Sequence, residues 1–106
     1  MSTYSLQVDD CADPPAATIV GELDRTNAAE FADALTAVPG PRPVILDLSE
    51  LRYIDSTGFG TVIQMVDKRV VVVVLDPVSL LRRAASVMGL PFHDHVDAAR
   101  TALGRS

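Results

Sequence analysis

The prediction of the fold starts from the segment IDSTGFG, residues 54–60. An apolar run of strand length, residues 44–48, comes before it, and a short polar step over residues 49–53 separates the two. Asp55, Ser56 and Thr57 favour helix N-termini, and the apolar residues that follow recur at helical spacing. We therefore predict that Ser56 lies at a helix N-terminus with its hydroxyl at the surface, beside a carboxylate and two glycines.

A phosphate is tolerated at such a position. The first backbone N–H groups of a helix have no partner within the helix, and the helix dipole favours negative charge there. The plainer interpretation is that Ser56 only caps the helix. A nucleotide-binding glycine loop is not predicted, because Ile63 occupies the third glycine position and no lysine follows.

Composition limits the classes of protein. The 106 residues form one domain, residues 1–106, and 48% hydrophobic content with 22% charge is typical of a globular fold. A net charge of -5 argues against nucleic-acid binding. Neither a signal peptide nor a run long enough for membrane insertion is found, so we expect a cytoplasmic protein. The single Cys11 excludes an internal disulfide, fits a reducing compartment and predicts an inert thiol.

The N-terminal half predicts a β-hairpin followed by a helix. Residues 4–8 alternate in polarity as a half-buried strand does, residues 9–15 form a loop, and residues 17–20 resume the extended run, which ends at residues 21–24. Thr26 or Asn27 caps the helix, and Asn27 with Glu30 has capping-box spacing. An apolar helix face runs to Val38, after which prolines and a glycine end the helix.

The C-terminal half predicts further alternation of helices and strands. The helix after the motif ends near residues 67–69, because residues 70–75 are an unbroken apolar run expected of a central strand buried on both faces. Asp76 and Pro77 predict a helix start, Gly89 predicts its end, residues 91–96 predict a short edge strand, and residues 98–103 a last helix. The predicted fold is α/β, a mixed sheet of about five strands with a parallel centre, packed against about four helices.

Three segments, in this order and spacing, resemble a STAS domain. They read GELD at residues 21–24, VILDLS at residues 44–49 and IDSTGFG at residues 54–60. Within that family the DSTG form is most similar to the anti-sigma factor antagonists, also called anti-anti-sigma factors. The similarity extends over nearly the whole chain.

The resemblance implies a bacterial transcription regulator that switches partners and is not itself an enzyme. In that family an anti-sigma factor that is also a serine kinase binds the unphosphorylated antagonist, and phosphorylation of the serine after the motif aspartate, here Ser56, releases it. A serine phosphatase resets the switch. Asp24 matches a family carboxylate near the acceptor serine. The switch surface implied for this chain comprises Asp24, Asp55, Thr57, Gly58 and Phe59 around Ser56, with no cofactor and no resident metal.

One segment departs from the family pattern. Between residues 58 and 70 the chain is about one to two helical turns shorter than the usual family helix. The glycine-containing turn that usually follows is also replaced, by residues 67–69. In the family this helix carries much of the contact with the partner.

Other interpretations of the sequence stay open beside this one. The rival is a constitutive STAS accessory subunit of a transporter or a stress-signalling complex. An enzyme is not predicted, because Ser56 and Asp55 have no basic group close in sequence. His93 and His95 are expected to be solvated rather than to bind a metal, and Arg82 and Arg83 to form a solvated helix face. The sheet edge near His93 could support a homodimer.

Overall fold

The computed structural model describes residues 3–9, 14–39, 43–79 and 81–103. Residues 10–13, with Cys11 among them, lie outside the described residues. Within them the chain forms five strands and four helices: β1 (Tyr4–Asp9), β2 (Ala16–Leu23), α1 (Ala28–Thr36), β3 (Val44–Asp47), β4 (Leu51–Ile54), α2 (Ser56–Asp67), β5 (Val71–Val74), α3 (Leu81–Val87) and α4 (Val96–Leu103). None of the described helices is long and apolar enough to cross a membrane.

Strand β2 is the longest strand and holds the sheet together. It pairs antiparallel with β1 along one edge, with Tyr4 opposite Gly21. Along its other edge it pairs parallel with two strands in succession, first β3 and then β4. Strand β5 lies parallel to β3. The predicted hairpin, the mixed sheet and its parallel centre are thereby confirmed.

The prediction that residues 49–53 are only a short polar connection is wrong, because strand β4 (Leu51–Ile54) begins within them. Of its residues only Leu51 is buried, and Arg52 and Tyr53 are exposed. The segment is only four residues long and its burial does not alternate, so no pattern of hydrophobicity reveals a strand. Backbone pairing with β2 forms it, with a register shift between Gly21 and Glu22.

The predicted strand over residues 91–96 is wrong, since the described chain has only an isolated bridge there, between Val74 and His93. Backbone bonds of 2.9 Å from Leu75 N–H to the His93 carbonyl and 2.8 Å from His93 N–H to the Val73 carbonyl hold it beside β5. Strand β5 is consequently not central; it ends the strand order β1-β2-β3-β5. Both of its faces are nevertheless covered, as predicted for the apolar run at residues 70–75, because helices lie on either side of the sheet.

The main core lies between the sheet and helices α1, α2 and α3. Strand β2 contributes every second residue to it, and the largest fully buried side chain is Phe31 of α1. The main core also includes Ile19, Leu23, Leu35, Leu46, Phe59, Val62, Val73 and Ala85. A smaller cluster of Ile45, Val74 and Ala99 seats α4 on the opposite face. Helices thus cover both faces of the sheet, with α1 and α2 together on one of them.

The capping box predicted for α1 is wrong. Asn27 occupies the N-cap position, but its side chain makes no capping hydrogen bond to the helix. The Glu30 carboxylate accepts the hydroxyl of Tyr4 at 3.1 Å instead of returning to the cap. Burial and this hydrogen bond raise the pKa of Tyr4 above its ordinary value, and the Tyr4 ring packs edge-on against Phe31 with centroids 6.1 Å apart.

Helix α3 begins later than predicted and ends as predicted. Asp76 caps a separate turn, accepting the Val78 N–H at 2.9 Å, whereas the Ser79 hydroxyl accepts the Leu81 N–H at 3.2 Å. Gly89 ends the helix with a φ of 73°, and the Leu90 N–H bonds five residues back at 2.9 Å. This is the glycine C-cap arrangement.

Helix α2 ends at Asp67, as the sequence predicted, and is 12 residues long. Arg69 then adopts a φ of 60°, the one positive φ of a non-glycine residue in the described chain. The Val70 N–H bonds to the Met65 carbonyl at 2.8 Å, which closes the helix in the same way as in α3. An arginine therefore takes the left-handed position that glycine usually fills.

Candidate functional site

The predicted site residues meet where β2 and β4 end. These two parallel strands are paired up to Leu23 and Ile54, so Asp24 and Asp55 emerge at the same edge of the sheet. A backbone bond of 3.2 Å from Asp55 N–H to the Leu23 carbonyl extends the pairing one residue further. Helix α2 starts at the next residue, Ser56.

Asp55 is the residue that caps α2. Its backbone is extended, and its Oδ1 accepts the N–H of Gly58 at 2.8 Å. The other oxygen, Oδ2, accepts the backbone N–H of Arg25 at 3.2 Å. One carboxylate therefore caps the helix and also ties it to the turn between β2 and α1.

Ser56 and Thr57 lie on the surface in the first turn of α2, and both are exposed. Because Asp55 takes the capping role, the Ser56 hydroxyl is left for other contacts, and it has no hydrogen bond to any residue the structure describes. The geometry is that of a presented hydroxyl at a helix start. Its phosphorylation stays a prediction.

The turn over residues 24–27 is fixed by its own side chains. The Asp24 carboxylate accepts the backbone N–H of Thr26 at 2.9 Å and its hydroxyl at 2.5 Å. The buried Asn27 accepts the Asp24 N–H at 2.9 Å and donates to the Glu22 carbonyl at 3.0 Å. The sequence analysis did not predict that Asn27 anchors this turn. The turn itself has a sequence signal, since Asp24 stands two residues before Thr26 and an aspartate side chain commonly accepts the backbone N–H two residues on.

Gly58 and Phe59 lie beneath the surface rather than on it. Phe59 is 7% exposed and belongs to the main core. Gly58 is buried against β2 and β4. The structure thus separates the predicted switch surface into exposed or half-exposed groups, Asp24, Asp55, Ser56 and Thr57, and two buried residues that seat the helix.

Replacing Asp55 with alanine should lower the free energy of unfolding by about 1–2 kcal/mol, because the substitution removes the cap of α2 and the contact to the Arg25 amide. Urea denaturation followed by circular dichroism measures this change. Asp33→Ala on the exposed side of α1 is the charge-matched control, with an expected change of about 0.5 kcal/mol or less. Equal losses in the two variants would contradict the capping role.

The residues near the C-terminus that were predicted to be solvated differ in their contacts. No group of three or more potential metal ligands occurs among the described residues. Arg82, however, is not merely solvated: its guanidinium bonds to Asp94 at 2.8 Å and stacks over Phe92 at 4.8 Å from the ring centroid. Arg83 is exposed.

Fold and site together define a class: a small α/β domain that presents an exposed serine at a helix start, directly after the aspartate that caps the helix. The family model described as "Mlab, STAS domain" matches residues 7–91. The chain belongs to the STAS domain family.

Two solved structures resemble nearly the whole chain. An anti-sigma factor antagonist from Mycobacterium paratuberculosis is 25% identical, with a TM-score of 0.78, over 94% of this chain and 93% of that one. The unphosphorylated anti-sigma factor antagonist SpoIIAA is 17% identical, with a TM-score of 0.63, over 96% and 99% of the respective chains, and supports the fold alone. No curated protein matches the chain significantly.

Proposed function

We propose that this protein is an anti-sigma factor antagonist of the cytoplasm, switched by phosphorylation of Ser56. The unphosphorylated form binds an anti-sigma factor that is also a serine kinase, and the phosphorylated form releases it. The observation that carries the proposal is the exposed Ser56 at the first position of α2, next to the capping Asp55, in a domain similar over its full length to an antagonist structure.

The chemistry of phosphorylation must come from the partner. The Ser56 Oγ forms a bond to the γ-phosphorus of ATP, the bond from that phosphorus to ADP breaks, and a base takes the serine proton. Asp55, the nearest carboxylate in sequence, already accepts two backbone N–H groups. A serine kinase therefore supplies the base and the nucleotide site, and a serine phosphatase removes the phosphate by hydrolysis.

The fold supports release without unfolding. Ser56 is exposed, so a phosphate on it needs no rearrangement of the core. The added charge of about -1.5 to -2 joins the carboxylates of Asp24 and Asp55, and so makes a contact surface strongly anionic. A partner surface that fits the neutral hydroxyl then meets a bulky anion, and the complex weakens.

A second candidate is a STAS subunit that docks constitutively in a transporter or a stress-signalling complex. It is favoured by the family model, whose description names Mlab rather than an antagonist. The two candidates differ in one property: a constitutive subunit has no need of phosphorylation at Ser56.

Phosphosite mapping tests the proposal. The wild-type chain and its Ser56→Ala and Thr57→Ala variants are incubated with Mg-ATP and extract of the native cell, then analysed by intact-mass and peptide mass spectrometry. We expect one phosphate on the wild type and on Thr57→Ala, and none on Ser56→Ala. If Ser56 stays unmodified while the kinases of the extract are active on control substrates, the phosphorylation switch is wrong.

A further inference from the structure

Arg25 is the basic residue on the turn that contacts the cap of α2. Its backbone N–H donates to Asp55 Oδ2 at 3.2 Å, and Ser56 is the residue that follows Asp55 in the chain. The turn that carries Arg25 is held by the hydrogen bonds of Asp24 and Asn27. The position of the Arg25 backbone relative to Ser56 is therefore fixed.

The Arg25 side chain is exposed and uncommitted within the described part of the chain. The ion pairs found there belong to Arg82 and Arg100, and Arg25 takes part in neither. Arg52, Lys68, Arg69 and Arg83 likewise take part in neither ion pair, and what distinguishes Arg25 is its place on the turn that contacts Asp55. Arg25 also stands next to two carboxylates, Asp24 and Asp55, both of which are already occupied by hydrogen bonds.

A phosphate on Ser56 would change this balance of charge. Beside Asp24 and Asp55 it meets like charge, and the only nearby opposite charge on the same turn is the guanidinium of Arg25. Arginine matches phosphate geometry, since its planar fork can donate two parallel N–H bonds to phosphate oxygens. A flexible, exposed arginine on a fixed turn can close such a pair without moving the backbone.

We propose that Arg25 is the phosphate-pairing residue of the switch: its guanidinium binds the phosphate oxygens of phosphorylated Ser56 and joins the turn at residues 24–27 to the start of α2. In the unphosphorylated protein the same side chain is free for the partner. Phosphorylation therefore adds an anion to the contact surface and also withdraws a cation from it. The biological use of this pair rests on the proposed function; the pairing itself does not.

The pair has a direct signature in the phosphate. A neighbouring guanidinium favours the dianion over the monoanion and so lowers the second pKa of the phosphate, whereas nearby carboxylates raise it. On β2, β4 and the residues that directly follow these strands, the charged or titratable groups are Glu22, Asp24, Arg25, Arg52, Tyr53 and Asp55. Of these, Arg25 and Arg52 are cationic, and only Arg25 lies on the turn that contacts the cap of α2.

The test measures this pKa in the full chain. Phosphoserine is installed at position 56 by genetic code expansion, and the phosphate is titrated by phosphorus NMR in the wild type and in Arg25→Ala, Arg25→Lys and Arg52→Ala. We expect Arg25→Ala to raise the second pKa by about 0.5, Arg25→Lys to raise it less, and Arg52→Ala to change it by about 0.1. The Arg25 Nε–H resonance of the wild type should also shift on phosphorylation. Thermal melting verifies that the variants, which alter exposed side chains, are folded.

The outcomes separate this proposal from the switch itself. Equal pKa changes in Arg25→Ala and Arg52→Ala would reflect only the general field of the protein and would overturn the pairing, as would an unchanged Arg25 Nε–H resonance. Because the phosphate is installed without a kinase, neither result bears on whether Ser56 is phosphorylated in the cell. Conversely, an unmodified Ser56 in the extract experiment would leave the measured pairing intact.

Discussion

Ser56→Asp is expected to weaken binding of the cognate anti-sigma factor by about a hundredfold or more, whereas Ser56→Ala should bind nearly as the wild type does. A hundredfold loss corresponds to about 3 kcal/mol, which one charge placed in a desolvated contact readily costs. Ser56 is the first residue of α2 and is exposed, so any partner that covers this helix end covers the serine. Aspartate carries the charge there without a kinase.

The stability of the protein should be nearly unchanged by the same substitution. An acidic residue in the first turn of a helix interacts favourably with the helix dipole, by about 0.3–1 kcal/mol at an exposed site. Asp55 continues to cap α2 through its bond to the Gly58 amide. Loss of binding with an unaltered melting temperature is therefore the signature of a switch, whereas a joint loss would indicate misfolding.

The affinities of the wild type and the Ser56 variants are measured by isothermal titration calorimetry with the anti-sigma factor. That partner is isolated through its kinase activity on this chain. Thr101→Asp is the matched control: it makes the same charge change at an exposed site on α4, which packs on the opposite face of the sheet from α2. This variant should bind normally. Full binding by Ser56→Asp would contradict the switch and favour the constitutively docked subunit.

The sequence predicted those parts of the fold that hydrophobic pattern and helix signals govern. Local preferences of a few residues predict the hairpin of β1 and β2, strand β5 and the end of α3 at Gly89. Strand β4 was not predictable in this way, because Arg52 and Tyr53 face solvent and only pairing with β2 makes the segment extended. At residues 91–96 the opposite happened: the sequence predicted a strand, but the segment makes only the single bridge between His93 and Val74.

The position of the candidate site could be predicted from the sequence, but the hydrogen bonds that hold it could not. The DSTG motif indicated a helix start with an exposed serine, and the paired ends of β2 and β4 bring Asp24 to the same edge. The turn of residues 24–27 holds the site through bonds between residues 22, 24, 26 and 27, and Arg25 joins it to Asp55 across a gap of 30 residues. The bond between Arg25 and Asp55 depends on the tertiary fold, and no local sequence pattern reveals it.

Gly58→Ala should destabilise the protein by about 2–3 kcal/mol, the range of an overpacked core, and Gly60→Ala should stabilise it by about 1 kcal/mol. At Gly58 an added Cβ would lie 2.8 Å from Ile54 Cγ1 and 2.9 Å from the Leu23 carbonyl oxygen. The side-chain carbon can yield. The carbonyl cannot, because it belongs to the longest strand and accepts the Asp55 N–H at 3.2 Å. At Gly60 an added Cβ meets no atom within 4 Å, so only the better helix propensity of alanine acts.

Gly58→Ala and Gly60→Ala are informative together, because the same substitution two residues apart in one helix is expected to change stability in opposite directions. Composition, net charge and the unfolded chain change almost identically, so the difference reports the native contact of Gly58 with β2. For a domain of this size about 1 kcal/mol moves the melting temperature by about 4–8 °C, so calorimetry should separate the two variants by well over ten degrees. Similar melting temperatures would mean that α2 does not pack closely on β2 at its start. Since that packing fixes Ser56 relative to Asp24, Gly58→Ala should also weaken partner binding, whereas Gly60→Ala should not alter the position of the serine.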